Sequence, residues 1–184
     1  MPKRFLVCAL IVMGMIGSPN AQQTERVLSL NGSADRPTSE LLASIVTWLS
    51  ENFDLPATSD PPRVELVSQA RMAALRFRDL ETDRRSLEGS PEQRSNVIAV
   101  YDSANRAIYL QEEWRGSPAE VSVLVHEMVH HLQTVAGLKY ECPQAREKSA
   151  YAAQEKWLSR YGLNLMDEFE INPMAVFVRS ACFF

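Results

Sequence analysis

The sequence lacks an excess of basic residues, a long apolar run and any internal repeat. Its 19 Lys and Arg are outnumbered by 23 Asp and Glu, which argues against nucleic acid as a partner because phosphate binding needs surplus positive charge. The apolar run Phe5–Ile16 is too short for a comfortable membrane span. The rest of the composition is ordinary, with 46% hydrophobic and 23% charged residues. These features predict one globular domain with a real core.

The N-terminus has the layout of a secretory signal peptide. Lys3 and Arg4 precede the apolar run, and the residues Gly17–Ala21 break it. Cleavage is predicted after Ala21. Because Pro19 is atypical at the minus-three position, an uncleaved membrane anchor is the alternative. The protein is therefore predicted to be exported and to be periplasmic or secreted. The sequence divides into a signal peptide over 1–21, a flexible leader over 22–37 and a single domain over 38–184.

Periodicity beyond the leader predicts an α+β fold that is rich in helix and has a small antiparallel sheet. Apolar residues recur at helical spacing in four segments, which are about 38–52, 68–80, 117–136 and 143–161. β-Rich runs occupy 63–67, 97–101 and 107–110. The turn residues at 102–106 predict a hairpin between the last two runs. The connection over 81–94 is expected to be charged and exposed.

An HExxH pattern, His126-Glu127-Met128-Val129-His130, lies on the third predicted helix. Residues four apart lie on the same helical face, so His126 and His130 can both present an imidazole nitrogen to one Zn²⁺. Glu127 stands beside them and need not be a ligand. It can take the proton of a metal-activated water and return it to the leaving group. The pattern therefore supplies two metal ligands and a general base.

The alternative is that the five-residue pattern arose by chance. Chance matches usually fall on solvated helices or in loops, whereas this one is flanked by valines and leucines that mark a buried helix. Unpaired His and Glu are costly to bury. A bound metal would account for their presence in such a helix.

A catalytic zinc site usually has three protein ligands, so the third must come from outside the motif. The adjacent His131 points about 100° away from His130, and we expect it to support the site or to lie on the surface. The carboxylate candidates on or before the next helix are Glu141, Glu147 and Glu155. Depth along the helix pair and the small residues nearby favour Glu147, with Glu155 as the alternative.

The HExxH pattern followed by Glu147, with Ala150 three residues later, resembles the gluzincin branch of zinc metallopeptidases. More closely, Val125–Leu158 resembles a small exported bacterial family of metallopeptidase-like proteins whose function is not known. The resemblance implies a compact zincin-like domain with one Zn²⁺ held by the two histidines and Glu147. Tyr151 stands where gluzincins have an aspartate, so the usual carboxylate contact to a zinc-bound histidine is missing from the pattern.

The resemblance also implies how substrate would bind and react. In zincins an antiparallel edge strand lines the cleft above the motif helix, and 107–110 is placed to be that strand, where a peptide could add by β-augmentation. A tyrosine often stabilises the oxyanion, and the candidates are Tyr101, Tyr109, Tyr140 and Tyr151. The implied function is an exported zinc metallopeptidase that hydrolyses a peptide or cell-envelope amide bond.

Two other classes of protein fit the same residues. One is a non-catalytic zinc-binding or interaction module of the cell envelope, in which the metal only holds two helices together. The other is an envelope-anchored interaction protein without metal. A water in the fourth coordination position indicates a catalytic zinc site, and a fourth protein ligand indicates a structural one. Metal analysis of the purified protein distinguishes the two zinc proteins from the interaction protein without metal.

The cysteines predict one disulfide bond. Cys8 lies in the predicted signal peptide and would be removed with it, which leaves Cys142 and Cys182. A pair in an exported protein favours a bond over two free thiols. It would close a loop of about 40 residues and pin the apolar tail beside the glutamate-bearing helix.

Overall fold

The computed structural model of the protein describes residues 36–78 and 98–183. The predicted signal peptide, nearly all of the predicted leader and the charged connection over 81–94 lie outside these residues. Within the described ranges, no helix is long and apolar enough to cross a membrane.

The described residues form six α-helices, one short 3-10 helix and three β-strands. The helices are α1 (Ser39–Phe53), α2 (Gln69–Arg78), α3 (Pro118–Val135), the 3-10 helix (Pro143–Arg146), α4 (Glu147–Ser159), α5 (Leu165–Phe169) and α6 (Pro173–Ser180). The strands are β1 (Arg63–Val67), β2 (Ala99–Asp102) and β3 (Ala107–Gln111). The helix-rich α+β class is confirmed, and α5 and α6 are additions to the predicted helices.

The three strands form one mixed sheet in the order β1-β3-β2. β2 and β3 pair antiparallel across a tight turn, as predicted, but β1 pairs parallel to β3. The prediction of an antiparallel sheet was therefore wrong for β1. Helix α2 intervenes between β1 and the hairpin, and such a crossover lets the chain return in the same direction. Only strands joined by a short turn are obliged to run antiparallel.

Strand β3 lies at the centre of the sheet, so the prediction that 107–110 forms an edge strand was wrong. Ile108 and Leu110 belong to the main core, whereas Ala107 and Tyr109 pack in a second cluster with α2. Both backbone edges of β3 pair with neighbouring strands, so a peptide cannot add to it. Four consecutive apolar residues are typical of a strand covered on both faces rather than of an edge.

The turn between β2 and β3 is built around Asp102. Its Oδ1 accepts hydrogen bonds from the backbone N–H groups of Ala104 at 3.0 Å and Asn105 at 3.1 Å, and its Oδ2 accepts one from the Asn105 side chain at 2.7 Å. Arg106 completes the turn with a φ of 47°. An aspartate that bonds the backbone following it specifies a tight turn, and the predicted hairpin is confirmed.

Helix α3 carries the HExxH pattern and begins and ends close to its predicted bounds. Ser117 accepts a hydrogen bond from the Glu120 N–H, and the Glu120 carboxylate accepts one from the Ser117 N–H, which is a capping box. The helix ends at Val135, just before Gly137, whose φ of 62° favours glycine. Its fully buried apolar side chains include Val121, Leu124, Val125, Met128, Val129 and Leu132. The pattern therefore lies on a core helix, as predicted.

Helix α4 packs against α3 more extensively than against any other described helix. Ala150 and Ala153 of α4 are fully buried, and such small side chains let two helix backbones approach closely. Farther along, Trp157 meets Trp48 of α1 edge-on, with ring centroids 5.1 Å apart. Helices α1, α3 and α4 and one face of the sheet thus share the main core.

Cys142 and Cys182 are joined by a disulfide bond, with Cα atoms 5.9 Å apart, so the predicted pairing is confirmed. Cys142 directly precedes the 3-10 helix, and Cys182 follows α6. No residue of α6 is buried, and this helix packs against α4 and the 3-10 helix. The bond therefore fastens a weakly packed C-terminal helix to the segment that leads into α4.

Candidate metal centre

Three side chains from α3 and α4 converge on one point. His126 and His130 lie one turn apart on α3, and Glu147 is the first residue of α4. Glu147 Oε2 lies 3.2 Å from the Nε2 atom of each histidine, and the two Nε2 atoms lie 3.3 Å apart. The three residues form a group, with ligand atoms within 4.8 Å of one another, that can hold a metal ion.

The separations of these atoms fit a tetrahedral ion. Ligand atoms at about 2.0–2.1 Å from a tetrahedral zinc ion lie about 3.3–3.4 Å from one another. The observed separations are 3.2, 3.2 and 3.3 Å. Two imidazole nitrogens and one carboxylate oxygen are also a donor set that zinc accepts. The group thus has spacing and donor atoms that can hold a metal ion.

The electrostatics of the group favour a cation. Burial by itself would raise the pKa of Glu147, but hydrogen bonds with His126 and His130 outweigh burial and hold its pKa well below its usual range. Burial would likewise lower the pKa of His130, yet its hydrogen bond with Glu147 and the negative charges of Glu127 and Glu147 raise it. An ionised Glu147 beside a His130 whose pKa is raised shows that positive charge is stabilised at this point.

Besides Glu147, two side chains of α4 contact His126. Its Nδ1 lies 3.1 Å from Gln154 Oε1, and its ring stands edge-on to that of Tyr151, with centroids 4.8 Å apart. Tyr151, four residues after Glu147, contacts His126 by packing alone. Gln154, seven residues after Glu147, lies on the same helical face and provides a hydrogen-bond partner for this ring.

Gln133 makes the corresponding contact with His130. Its Oε1 lies 3.0 Å from His130 Nδ1. Its amide nitrogen donates to the backbone carbonyl of Arg146 at 2.9 Å and to Ser149 Oγ at 2.8 Å. Gln133 therefore connects α3 to the segment that places Glu147.

Sequence analysis did not identify either glutamine, although a signal was present. Gln133 lies three residues after His130 and Gln154 seven residues after Glu147, so helical periodicity places each beside a predicted ligand. Both lie on faces that are otherwise apolar, and they are only 3% and 5% exposed. A buried amide beside a predicted ligand is the pattern that would have identified them.

Glu127 is half-buried and directly follows His126 on α3. Its carboxylate has no hydrogen bond or ion pair with another described residue, and its negative charge acts on His130. It is not a member of the three-residue group. A carboxylate near the ligand atoms, but outside their group, is suited to proton transfer rather than to metal binding.

The other candidate carboxylates lie outside the group. Glu155 accepts a hydrogen bond from the backbone N–H of Leu165 at 2.8 Å and so supports the start of α5. Glu141 is exposed before the 3-10 helix. Of the carboxylates left open by the sequence, Glu147 is the one that the structure brings to the histidines.

His131 points into the core rather than towards the centre. It is fully buried, so the expectation of a supporting or surface residue was wrong. Its Nε2 donates to the backbone carbonyl of Asp60 at 2.9 Å, and its Nδ1 lies 3.3 Å from the hydroxyl of Tyr101. These bonds join α3 to β2 and to the loop before β1.

The four candidate tyrosines differ in their surroundings. The Tyr101 hydroxyl contacts His131, Tyr109 is buried in the cluster with α2, and Tyr140 is exposed. Tyr151 is the candidate whose ring contacts a predicted metal ligand. The structure therefore places one tyrosine of the four against the group, although its hydroxyl is bonded to Arg179 at 3.3 Å.

Comparison with known families gives one match. The sequence model of a family described as Domain of unknown function (DUF6647) matches residues 34–184. This range contains all the described helices and strands, the candidate metal centre and both cysteines of the disulfide bond. No curated protein and no solved structure matches the chain.

Proposed function

The chain belongs to the family described as domain of unknown function DUF6647, and we propose that it is an exported zinc metallopeptidase. It would hydrolyse a peptide or cell-envelope amide bond, with His126, His130 and Glu147 as zinc ligands and Glu127 as the general base. The observation that supports this proposal is the convergence of two imidazole Nε2 atoms and one carboxylate oxygen at separations of 3.2 and 3.3 Å.

The roles of the residues follow from their chemistry. A zinc ion held by these three residues would supply Lewis-acid chemistry, which polarises a carbonyl and lowers the pKa of a bound water towards about 7. Glu127 accepts the proton of the attacking water and passes it to the leaving amine. Its carboxylate is available for both transfers because no described residue binds it. His126, His130 and Glu147 would hold the metal ion.

The number of ligand residues supports an enzyme over a structural zinc protein. Structural zinc sites are usually closed by four protein ligands, whereas catalytic sites have three. Among residues 36–78 and 98–183, no fourth His, Cys, Asp or Glu joins the group. The centre therefore has the ligand number of a catalytic site, and the non-catalytic module is the second candidate.

Export is part of the same proposal. It rests on the signal-like residues 1–21 and agrees with the Cys142–Cys182 bond, since disulfide bonds persist in oxidising compartments. The expected substrates are extracellular or periplasmic peptides and amides of the cell envelope.

The test is metal analysis followed by hydrolysis assays with a broad peptide library and cell-wall fragments. The purified protein is expected to contain about one zinc per chain. The Glu127→Gln variant should retain the zinc and lose hydrolysis, because an amide of the same shape cannot accept the proton. Glu141→Gln, at an exposed carboxylate nearby, is the matched control and should remain active.

Two outcomes would contradict this mechanism. Undiminished hydrolysis by the Glu127→Gln protein would show that another group is the base. Zinc bound at full occupancy without hydrolysis of any substrate by the wild type would favour the non-catalytic module.

A further inference from the structure

We infer that Gln133 and Gln154 are positioning residues that hold the His130 and His126 rings with Nδ1–H towards an amide oxygen and Nε2 towards the centre. The orientation of each ring is then set before any metal binds. The inference rests on the proposed function only where zinc affinity is its readout, because the ring orientation is a property of the protein alone.

The hydrogen bonds of Gln133 determine which ring nitrogen of His130 carries hydrogen. A backbone carbonyl can only accept, so the amide group facing the Arg146 carbonyl at 2.9 Å must be the NH₂. The Oε1 of Gln133 then faces His130 Nδ1 at 3.0 Å. An amide oxygen also can only accept, so Nδ1 must donate. The second hydrogen of the amide is donated to Ser149 Oγ at 2.8 Å. Exchanging the amide oxygen and nitrogen would therefore break both of these hydrogen bonds.

One contact opposes this assignment. Arg146 Nε, which can only donate, lies 3.3 Å from His130 Nδ1. If Nδ1 accepted that hydrogen, its lone pair would face the Gln133 oxygen at 3.0 Å. The shorter contact and the two bonds that fix the Gln133 amide outweigh the longer contact with Arg146.

An equivalent series of hydrogen bonds, through Gln154 of α4, fixes the orientation of His126. The Ser122 hydroxyl donates to the Ala119 carbonyl at 2.6 Å, so Ser122 Oγ can only accept from Gln154 Nε2, which lies 3.4 Å away. The Gln154 oxygen therefore faces His126 Nδ1 at 3.1 Å, and Nδ1 must donate. Ser122 is fully buried and Gln154 is 5% exposed, so solvent does not offer these groups ready alternatives.

The two chains have the same logic but different anchors. Each series of hydrogen bonds begins at a backbone carbonyl and ends at an imidazole, through a glutamine amide and, for His126, also through the Ser122 hydroxyl. The peptide backbone therefore determines the orientation of both rings. The anchor for His126 is Ala119 in the first turn of α3. The anchor for His130 is Arg146, which directly precedes Glu147, so the position of one ligand is coupled to that of another.

Nuclear magnetic resonance of ring hydrogens in the zinc-free protein tests the inference. Wild-type protein is expected to show Nδ1–H signals of His126 and His130 that exchange slowly with water. Gln154→Met, of similar volume but without the amide, should lose the slow exchange of His126 and leave that of His130 unchanged. Gln154→Asn, which withdraws the oxygen by one methylene, should do the same and covers the case in which the methionine variant does not fold.

A conservative variant and a surface control complete the test. Gln154→Glu keeps an acceptor oxygen and should restore the slow exchange at His126. Gln144→Met, at an exposed glutamine, should change neither ring. In zinc competition with a chelator, the Met and Asn variants should bind about 10–100-fold more weakly, as expected when a hydrogen bond to a ligand histidine is lost. The Glu variant should bind at least as tightly as wild type.

The results separate this inference from the proposed function. Slow exchange at both rings in wild type, lost only at His126 in the Gln154→Met and Gln154→Asn variants, supports positioning. This holds even if wild-type protein binds no zinc. Absence of zinc binding would contradict the proposed function instead. Hydrogen located on Nε2 with none on Nδ1 of either ring in wild type would overturn the inference. Equal loss at both rings in the Gln154 variants would also overturn it, because it would indicate general loosening.

Discussion

Removal of the Cys142–Cys182 bond is predicted to cost about 4 kcal/mol of folding free energy. The bond joins residues separated by 40 positions. For a loop of that size, the chain-entropy relation gives about 13 cal/mol/K of entropy removed from the unfolded chain, which is about 4 kcal/mol at 25 °C. Domains are commonly stabilised by about 5–15 kcal/mol in total, so the loss should be plainly measurable.

The assay is urea denaturation of wild type and of the Cys142→Ser/Cys182→Ser variant, both without zinc. With a slope of about 2 kcal/mol/M, a loss of about 4 kcal/mol lowers the midpoint by roughly 2 M. Wild type with a reductant is the matched control, because it has the same sequence without the bond. The reduced protein and the double variant should coincide.

The candidate metal centre is expected to survive this change. Glu147 is also held between the bonds of Gln133 to Arg146 before it and Ser149 after it, and these bonds do not involve the cysteines. Zinc affinity measured in the folded, reduced protein should therefore stay within about tenfold of wild type. A midpoint that does not move on reduction would refute the entropic reasoning. A complete loss of zinc binding would refute the independence of the centre from the bond.

Three further predictions concern individual residues. Glu147→Ala should abolish stoichiometric zinc binding measured by equilibrium dialysis, whereas Glu155→Ala should retain it and lose about 1 kcal/mol from the start of α5; the reverse pattern would assign the ligand to Glu155. In zinc-free protein, the lowered pKa of Glu147 stabilises the fold at pH values above the ordinary pKa of 4.5. The raised pKa of His130 stabilises the fold at pH values below the ordinary pKa of 6.5, and this contribution is lost as pH rises through the raised pKa. The increase in Tm caused by zinc should therefore grow as pH rises through the raised pKa of His130, because protons then cease to compete with the metal for this ring; a Tm increase that shrinks with rising pH would contradict the assignment. Asp102→Ala should cost about 1–3 kcal/mol in thermal unfolding because it removes the bonds that close the hairpin, and unchanged stability would show that the turn forms without them.

Local signals in the sequence predicted the elements that carry the candidate centre. The Ser117–Glu120 capping box and Gly137 set the bounds of α3, and both depend on residues only a few positions apart. The pairing of Cys142 with Cys182 followed from there being no other cysteine outside the signal-like segment. Such features need no knowledge of the tertiary structure.

The parts that failed depend on contacts between distant segments. The direction of β1 beside β3 is decided by how the chain crosses over through α2, which periodicity does not encode. The same pairing places 107–110 at the centre of the sheet. His131 was misplaced because its partners, Asp60 and Tyr101, lie far away in the sequence.

The choice between Glu147 and Glu155 is an intermediate case. Helical spacing puts both on nearly the same face of one helix, so the sequence could only favour one by depth along the helix pair. The structure separates them because Leu165 folds back and its N–H donates to Glu155. That contact depends on where the chain runs after α4, which the glycine at 162 alone did not specify.

The most direct test of the account is a crystal structure of the zinc-loaded protein, with anomalous diffraction at the zinc edge. One zinc peak is expected within bonding distance of His126 Nε2, His130 Nε2 and a Glu147 carboxylate oxygen, with a water molecule in the remaining position. A peak elsewhere, or a fourth protein ligand at this centre, would contradict the proposal of a catalytic zinc site.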